Sequence, residues 1–246
     1  MKRWKVLLTV VALLPCVSLA QQLPALSDAG MQMNSAPSFG TAKLEQDELR
    51  TGNGSNAYRW EGDGWYGGNF TRAWIKSEGL VDTDSGAIEE AELQGLYSRA
   101  ISPFFDLQAG ARYNFEPGPS RGWLTLGTEG LAPMFWEIGA FAFLSDAGHA
   151  AARFEGHYDL LITQRLILQP QFEVNGYDKS DPRAGMGAGL SDLDTGLRLR
   201  YEIRRQFAPY IGIAYDKKYG QTASFVRDAG DRVEDLRFVA GIRVGY

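Results

Sequence analysis

His157 has a carboxylate two residues away on either side, Glu155 and Asp159. On an extended chain, residues two apart share a face at a spacing of roughly 6–7 Å. A neutral imidazole between carboxylates suits a borderline divalent metal such as Cu(II). A hydrogen-bonded histidine among ion pairs is the alternative reading of the same residues. Met31 and Met33 offer two soft thioethers with one residue between them, a donor set suited to Cu(I). His149 lies beside Asp146 and Gly148 in a turn-rich stretch, as a candidate ligand or a solvated side chain. Ser145, Asp146 and His149 are neighbours, but their spacing assembles no nucleophile–base–acid set. No Gly-rich phosphate loop, HExxH or GxSxG is present, so no catalytic residue is assigned.

The elements around these residues read as strands. Phe105, Leu107, Ala109, Ala111, Tyr113 and Phe115 alternate with Asp106, Gln108, Arg112 and Asn114. The period-two pattern returns at 149–162, 165–175, 193–203 and 235–246, and no helix-period stretch of useful length competes with it. Ten strands are expected: 57–78, 87–101, 103–116, 121–131, 133–145, 149–162, 164–178, 187–203, 207–219 and 233–246. Very short connections near 102, 132, 163 and 205 alternate with longer ones, several rich in Gly and Asp. An even number of antiparallel strands with short turns on one rim is the outer-membrane barrel pattern. A water-soluble barrel or sandwich also alternates. Aromatics gathered at strand ends (Trp60, Trp65, Tyr66, Trp74, Phe104, Phe135, Trp136, Phe207, Tyr210, Tyr246) favour lipid, because interface girdles need amphipathic rings. The ending on Tyr246, with Val244, Ile242, Ala240 and Phe238 at alternate positions, resembles a barrel-assembly signal. Pro170 falls mid-strand and calls for a bulge.

The expected fold is therefore all-β: an antiparallel up-and-down transmembrane β-barrel of about ten strands over 57–246, with a flexible N-terminal tail at 21–56. Within that tail, Leu44–Arg50 reads as a short helical turn. Residues 1–20 read as a signal peptide, with a basic start (Lys2, Arg3, Lys5), an apolar run and Ser18/Ala20 before the cleavage point. Cleavage removes the lone Cys16. It also leaves 22 of the 25 Lys+Arg against 30 Asp+Glu, a mature charge of −8. That balance argues against a nucleic-acid partner. One cysteine and two histidines exclude a disulfide scaffold or a clustered Cys/His zinc site.

If the apolar faces meet lipid, the polar faces meet in a lumen. Glu92, Asp106, Glu137, Arg153, Arg165, Glu173, Arg198, Arg200 and Glu202 would then pair across it. In a barrel this narrow such pairs act as filling, whatever else they do.

Long runs carry a family likeness: AELQGLYSRAISPFFDLQAGARY at 91–113, GLAPMFWEIGAFAFLS at 130–145, ARFEGHYDLLITQRLILQPQFEVNGY at 152–177 and GAGLSDLDTGLRLRYEIRRQFAPYIGIAY at 187–215. WEGDGWYGG at 60–68 and the closing VAGIRVGY add to it. The chain resembles the copper resistance protein B family of Gram-negative outer membranes. The resemblance implies an outer-membrane barrel that contributes to copper tolerance, with a copper ion held weakly or in transit. It also implies a periplasmic multicopper oxidase as partner, beside the outer-membrane lipid expected around the apolar faces and the barrel assembly machinery expected to read the last strand. Many family members carry a Met- and His-rich N-terminal segment. Here 21–56 contains Met31 and Met33 and no histidine.

Overall fold

Period-two alternation over stretches of 9–14 residues produces strands long enough to cross a hydrocarbon layer when tilted. The computed structural model describes residues 38–52 and 56–246. The expected signal peptide, Met31 and Met33 lie outside the described residues.

The strands are β1 (Phe39–Gly52), β2 (Asn56–Gly67), β3 (Thr71–Asp82), β4 (Ile88–Ala100), β5 (Phe105–Glu116), β6 (Arg121–Leu131), β7 (Glu137–Ser145), β8 (Ala150–His157), β9 (Leu160–Leu161), β10 (Leu166–Tyr177), β11 (Gly189–Tyr201), β12 (Phe207–Lys218) and β13 (Glu234–Gly245). Each pairs antiparallel with its chain neighbour, and β13 pairs back onto β1. The result is a closed barrel of twelve strands, with the two-residue β9 as a detached extension of β8 along β10. Closure satisfies the backbone within the wall and leaves no open edge in lipid.

The count exceeds the expected ten for two reasons. Residues 39–52 form β1 rather than tail or helical turn: Leu44–Arg50 is strand throughout. The expected strand 57–78 is a hairpin, β2 and β3, turning at 68–70. The expected 149–162 strand is interrupted between β8 and β9. No bulge occurs at Pro170. The register runs unshifted from Leu168↔Leu160 to Gln171↔His157. The missing proline N–H costs one ladder bond, and Tyr158 N–H still donates to the Pro170 carbonyl at 3.1 Å.

Large apolar side chains point outward, with Ile75, Leu124, Ile211 and Phe238 all more than 60% exposed. Charged side chains point inward, with Glu48, Arg50, Arg198 and Arg200 at 1–2% exposure. An apolar exterior around a polar interior is what a lipid-embedded barrel requires. Short turns follow β2, β4, β6, β9 and β11, at the same end as Phe39 and Tyr246, and this rim faces the periplasm. At that rim Trp136 stacks on Tyr158 at 5.6 Å and Phe172 meets Phe154 at 5.4 Å, an aromatic girdle at the lipid interface. Trp65 and Trp74 do not belong to the girdle. They face each other at 6.1 Å across β2 and β3 on the lumen side, and Trp74 Nε1 donates to buried Ser98. Tyr210, also expected in the girdle, is instead buried in the lumen, where its hydroxyl donates to Glu48. The opposite rim carries the longest loops, 178–188 and 219–233, the second containing helix α1 (Gly220–Asp228). Thr222 anchors this helix, accepting from the Gly187 N–H at 2.8 Å and meeting Ser191 Oγ at 2.9 Å.

Candidate functional site: a charged waist and an acidic vestibule

Because the inward face of each strand is polar, the lumen is filled by ion pairs at mid-height. Glu48 on β1 accepts from Arg50 Nε at 2.8 Å, from Arg198 Nε at 2.9 Å and Nη2 at 2.7 Å, and from the Tyr210 hydroxyl at 3.0 Å. Arg50 continues to Asp194 at 3.1 Å and Asp216 at 3.6 Å. Arg59 on β2 reaches Asp194, Glu173 and Glu78 at 3.6–3.9 Å. Arg153 on β8 contacts Glu78 at 2.5 Å, Glu92 at 3.3 Å and Glu173 at 3.2 Å, on three other strands. Arg112 closes the chain on Glu92 at 3.3 Å and Asn114 at 2.7 Å. The belt runs unbroken from β5 on one side to β12 on the other.

Aromatic faces hold the guanidiniums in place. Arg112 lies 4.3 Å from the Phe143 ring centre and Arg153 lies 5.9 Å from it. Phe143 packs with Trp123 and Phe141 in a small buried cluster inside the barrel. Cation–π contact is strongest when both partners are out of water, as these are.

On the periplasmic side of the belt lies a cavity of about 170 Å³. Nine carboxylates line it against four Lys and Arg side chains. A bulge between Leu44 and Gln46 on β1 contributes to this. It breaks the strict alternation, so that Lys43, Glu45 and Gln46 all line the cavity. Some of the carboxylates are paired. Glu129 meets Lys76 at 2.5 Å and Glu45 takes Arg243 through both oxygens. Others are not. Among the described residues Glu155 makes no hydrogen bond or ion pair, and the Asp63 Oδ2 is buried without a hydrogen-bond partner. Gly139, opposite Glu155 on β7, leaves it room: a Cβ there would sit 2.9 Å from Glu155 Oε1.

His157 stands at the periplasmic mouth of this cavity. Its Nε2 lies 3.3 Å from Glu137 Oε2, directly across the β7–β8 pair, with side chains 39% and 62% exposed. Asp159 turns to Arg200 instead, at 2.7 Å, and Arg200 also reaches Glu202 at 3.8 Å. The expected grouping of Glu155, His157 and Asp159 is thus dispersed: His157 pairs with Glu137, Asp159 with Arg200, and Glu155 with neither of the other two. Among the described residues no three His, Cys, Asp or Glu side chains converge closely enough to hold an ion unaided. His149 is at the far rim, eight residues along β8 and so about 26 Å from His157. The two histidines share no site. Asp106 pairs with Arg72 at 3.5 Å near the periplasmic rim. Arg165 is a correction to the expected network: it lies exposed in the turn before β10, outside the lumen.

Sequence reasoning missed Glu48, Arg50, Arg59 and Glu78. Glu48 and Arg50 fell in the supposed tail, and Arg59 and Glu78 in a strand whose turn went unread. The signal was present in Gly67-Gly68-Asn69, a turn sequence that splits 57–78 into two crossings.

These features define a porin-type outer-membrane barrel with a polar, largely filled lumen. The solved structure of the NanC porin is similar in fold, with a TM-score of 0.55 at 14% identity, covering 82% of this chain and 98% of that one. The family model for copper resistance protein B precursor matches residues 38–246, and the chain belongs to that family. Copper resistance protein B of Escherichia coli is 43% identical over 203 residues, covering 82% of this chain and 68% of its own length. The homolog from Pseudomonas syringae pv. tomato is 41% identical over 220 residues, covering 89% and 74%.

Proposed function

We propose that this barrel supports copper resistance by taking up copper ions, weakly and transiently, in the periplasm-facing vestibule and aiding their sequestration or export. The observation that carries this reading is the excess of carboxylates there, with His157 and Glu137 at the entrance. Imidazole and carboxylate oxygen together suit Cu(II), while Met31 and Met33 would supply soft donors for Cu(I) upstream of β1. Glu155 lies further along the inward face of β8 and would offer a later contact, while Asp159 lies on the periplasmic side of His157. Weak sites in series suit passage, since a single tight site would trap the ion. The role is non-catalytic. A periplasmic multicopper oxidase is the proposed soluble partner, the barrel assembly machinery the proposed reader of β13, and outer-membrane lipid the proposed surroundings.

Copper titration of the purified mature protein tests the reading. Wild type should bind in the micromolar range or weaker, and the His157→Ala/Met31→Ala/Met33→Ala variant should lose most of that binding. A deletion strain should hold more periplasmic copper and tolerate less of it, and the triple variant should fail to rescue. A deletion that changes neither copper content nor tolerance would remove the proposal. The second reading, a structural porin-like barrel without a metal role, would then stand, and the filled waist is the feature that favours it.

A further inference from the structure

The waist belt contains one arm that differs from the rest. Arg153 is the only described side chain whose cation reaches three carboxylates at 2.5–3.3 Å: Glu173 on the neighbouring β10, and Glu78 on β3 and Glu92 on β4 across the lumen. From β8, both β3 and β4 lie on the far side of the barrel in the strand order. Its side chain is only 10% exposed. Arg59, the other cation that reaches across, makes only the longer contacts of 3.6–3.9 Å. Glu78, Glu92 and Glu173 all line the vestibule as well, so the same carboxylates face both the guanidinium and the periplasmic cavity.

We propose that Arg153 is a tethered plug: its guanidinium closes a cation-conducting path by filling the space between three carboxylates, and a hydrated cation arriving from the vestibule conducts by taking its place. The exchange conserves charge. One cation leaves Glu78, Glu92 and Glu173 as another arrives, so none of the three is left bare in a low-dielectric lumen. An anion cannot make that exchange, which makes the path cation-selective. The inference goes beyond the proposed copper role and does not depend on copper as cargo, since any small cation tests it.

The test is conductance of the mature barrel in planar lipid bilayers under a KCl gradient. Wild type should be closed for most of the record. Arg153→Ala should raise steady conductance at least tenfold, with a reversal potential on the potassium side. Millimolar guanidinium added to the periplasmic face should block the variant and leave wild type unchanged, because the free ion refills the vacated site. An Arg153→Ala barrel that stays silent, prefers chloride, or conducts without guanidinium block would overturn the proposal. Folding is checked by heat-modifiable migration. Should Arg153→Ala not fold, Glu78→Gln keeps the arm but removes its shortest contact. That variant should show brief cation-selective openings absent from wild type, and a folded, silent Glu78→Gln would overturn the proposal equally.

Discussion

The waist and the vestibule are built from the same residue types on the same strands, yet they differ in how charge is matched. At the waist, Glu48 serves three donors and each arginine reaches one or more carboxylates within 4 Å. One layer nearer the periplasm, apart from the belt's own Glu78, Glu92, Glu173, Arg59 and Arg153, six carboxylates meet two lysines, and Glu155 has no hydrogen bond or ion pair among the described residues. Buried charges are tolerated where geometry and extra hydrogen bonds offset their desolvation. Where the lumen widens and water enters, an unmatched carboxylate costs much less. The comparison separates charges that hold the barrel from charges free to meet a mobile cation.

The largest effect expected from breaking it is at Glu48. Glu48→Ala leaves buried Arg198 without a carboxylate, takes one of the three carboxylates from Arg50, and removes the acceptor for Tyr210. Removing one member of a buried ionic group typically costs about 3–5 kcal/mol. Urea unfolding in detergent or vesicles should show a loss of that size, and Glu48→Gln should recover part of it by still accepting one hydrogen bond. A Glu48→Ala barrel as stable as wild type would mean the waist is hydrated and the contrast with the vestibule is false.

Vestibule substitutions should show the opposite pattern. Glu155→Gln and Asp63→Asn remove charge from positions with little pairing, so stability should move by no more than about 0.5 kcal/mol. Divalent-cation binding, read by copper titration, should weaken several-fold. Either variant unfolding easily, or binding copper as wild type does, would move these residues into the structural group. At the mouth, His157→Ala and Glu137→Gln break a pair that is more than one-third exposed on each side. Such pairs contribute about 0–1 kcal/mol, so a copper-binding defect should appear with little change in unfolding midpoint.

The architecture was legible wherever one face meets lipid without interruption. Phe105–Phe115 and Leu236–Tyr246 alternate cleanly because each outward position must be apolar, and both are strands as expected. β1 was not legible for a local reason. Its bulge after Leu44 shifts the alternation by one, and its exposed apolar positions are few, Leu49 being the large one after the bulge. The waist was half legible. Arg153, Glu92, Glu173, Arg198 and Arg200 are recognisable as lumen residues from periodicity alone. Their partners are set by barrel closure, which brings β1 against β13 and thereby Glu48 within reach of Arg198, 150 residues away. The placement of His157 beside Glu137 follows from the β7–β8 register, and the sequence offered only its nearer neighbours Glu155 and Asp159 as candidates.

A pair at the outer rim sharpens the comparison, because it is well matched like the waist but sits in a loop. Asp181, in the 178–188 connection, accepts from Arg121 Nη2 at 2.5 Å, with both side chains largely covered. The Arg121 hydrogen bond holds the Asp181 carboxyl below the usual aspartate range, helped by the Arg183 amide and by His149 nearby. A lowered folded-state pKa means the pair contributes fully above the unfolded value of about 4. Its contribution is lost as pH falls through the lowered folded value. Amide exchange in 181–186, corrected for intrinsic rates, should therefore stay slow from neutral pH down to about 4 and quicken below it. Asp181→Asn should show the fast exchange already at neutral pH, while β11 and β12 stay protected in both proteins. Slow exchange in Asp181→Asn would mean the Asp181–Met186 backbone bridge alone orders the loop, and that matched charge stabilises this barrel only where burial is deep.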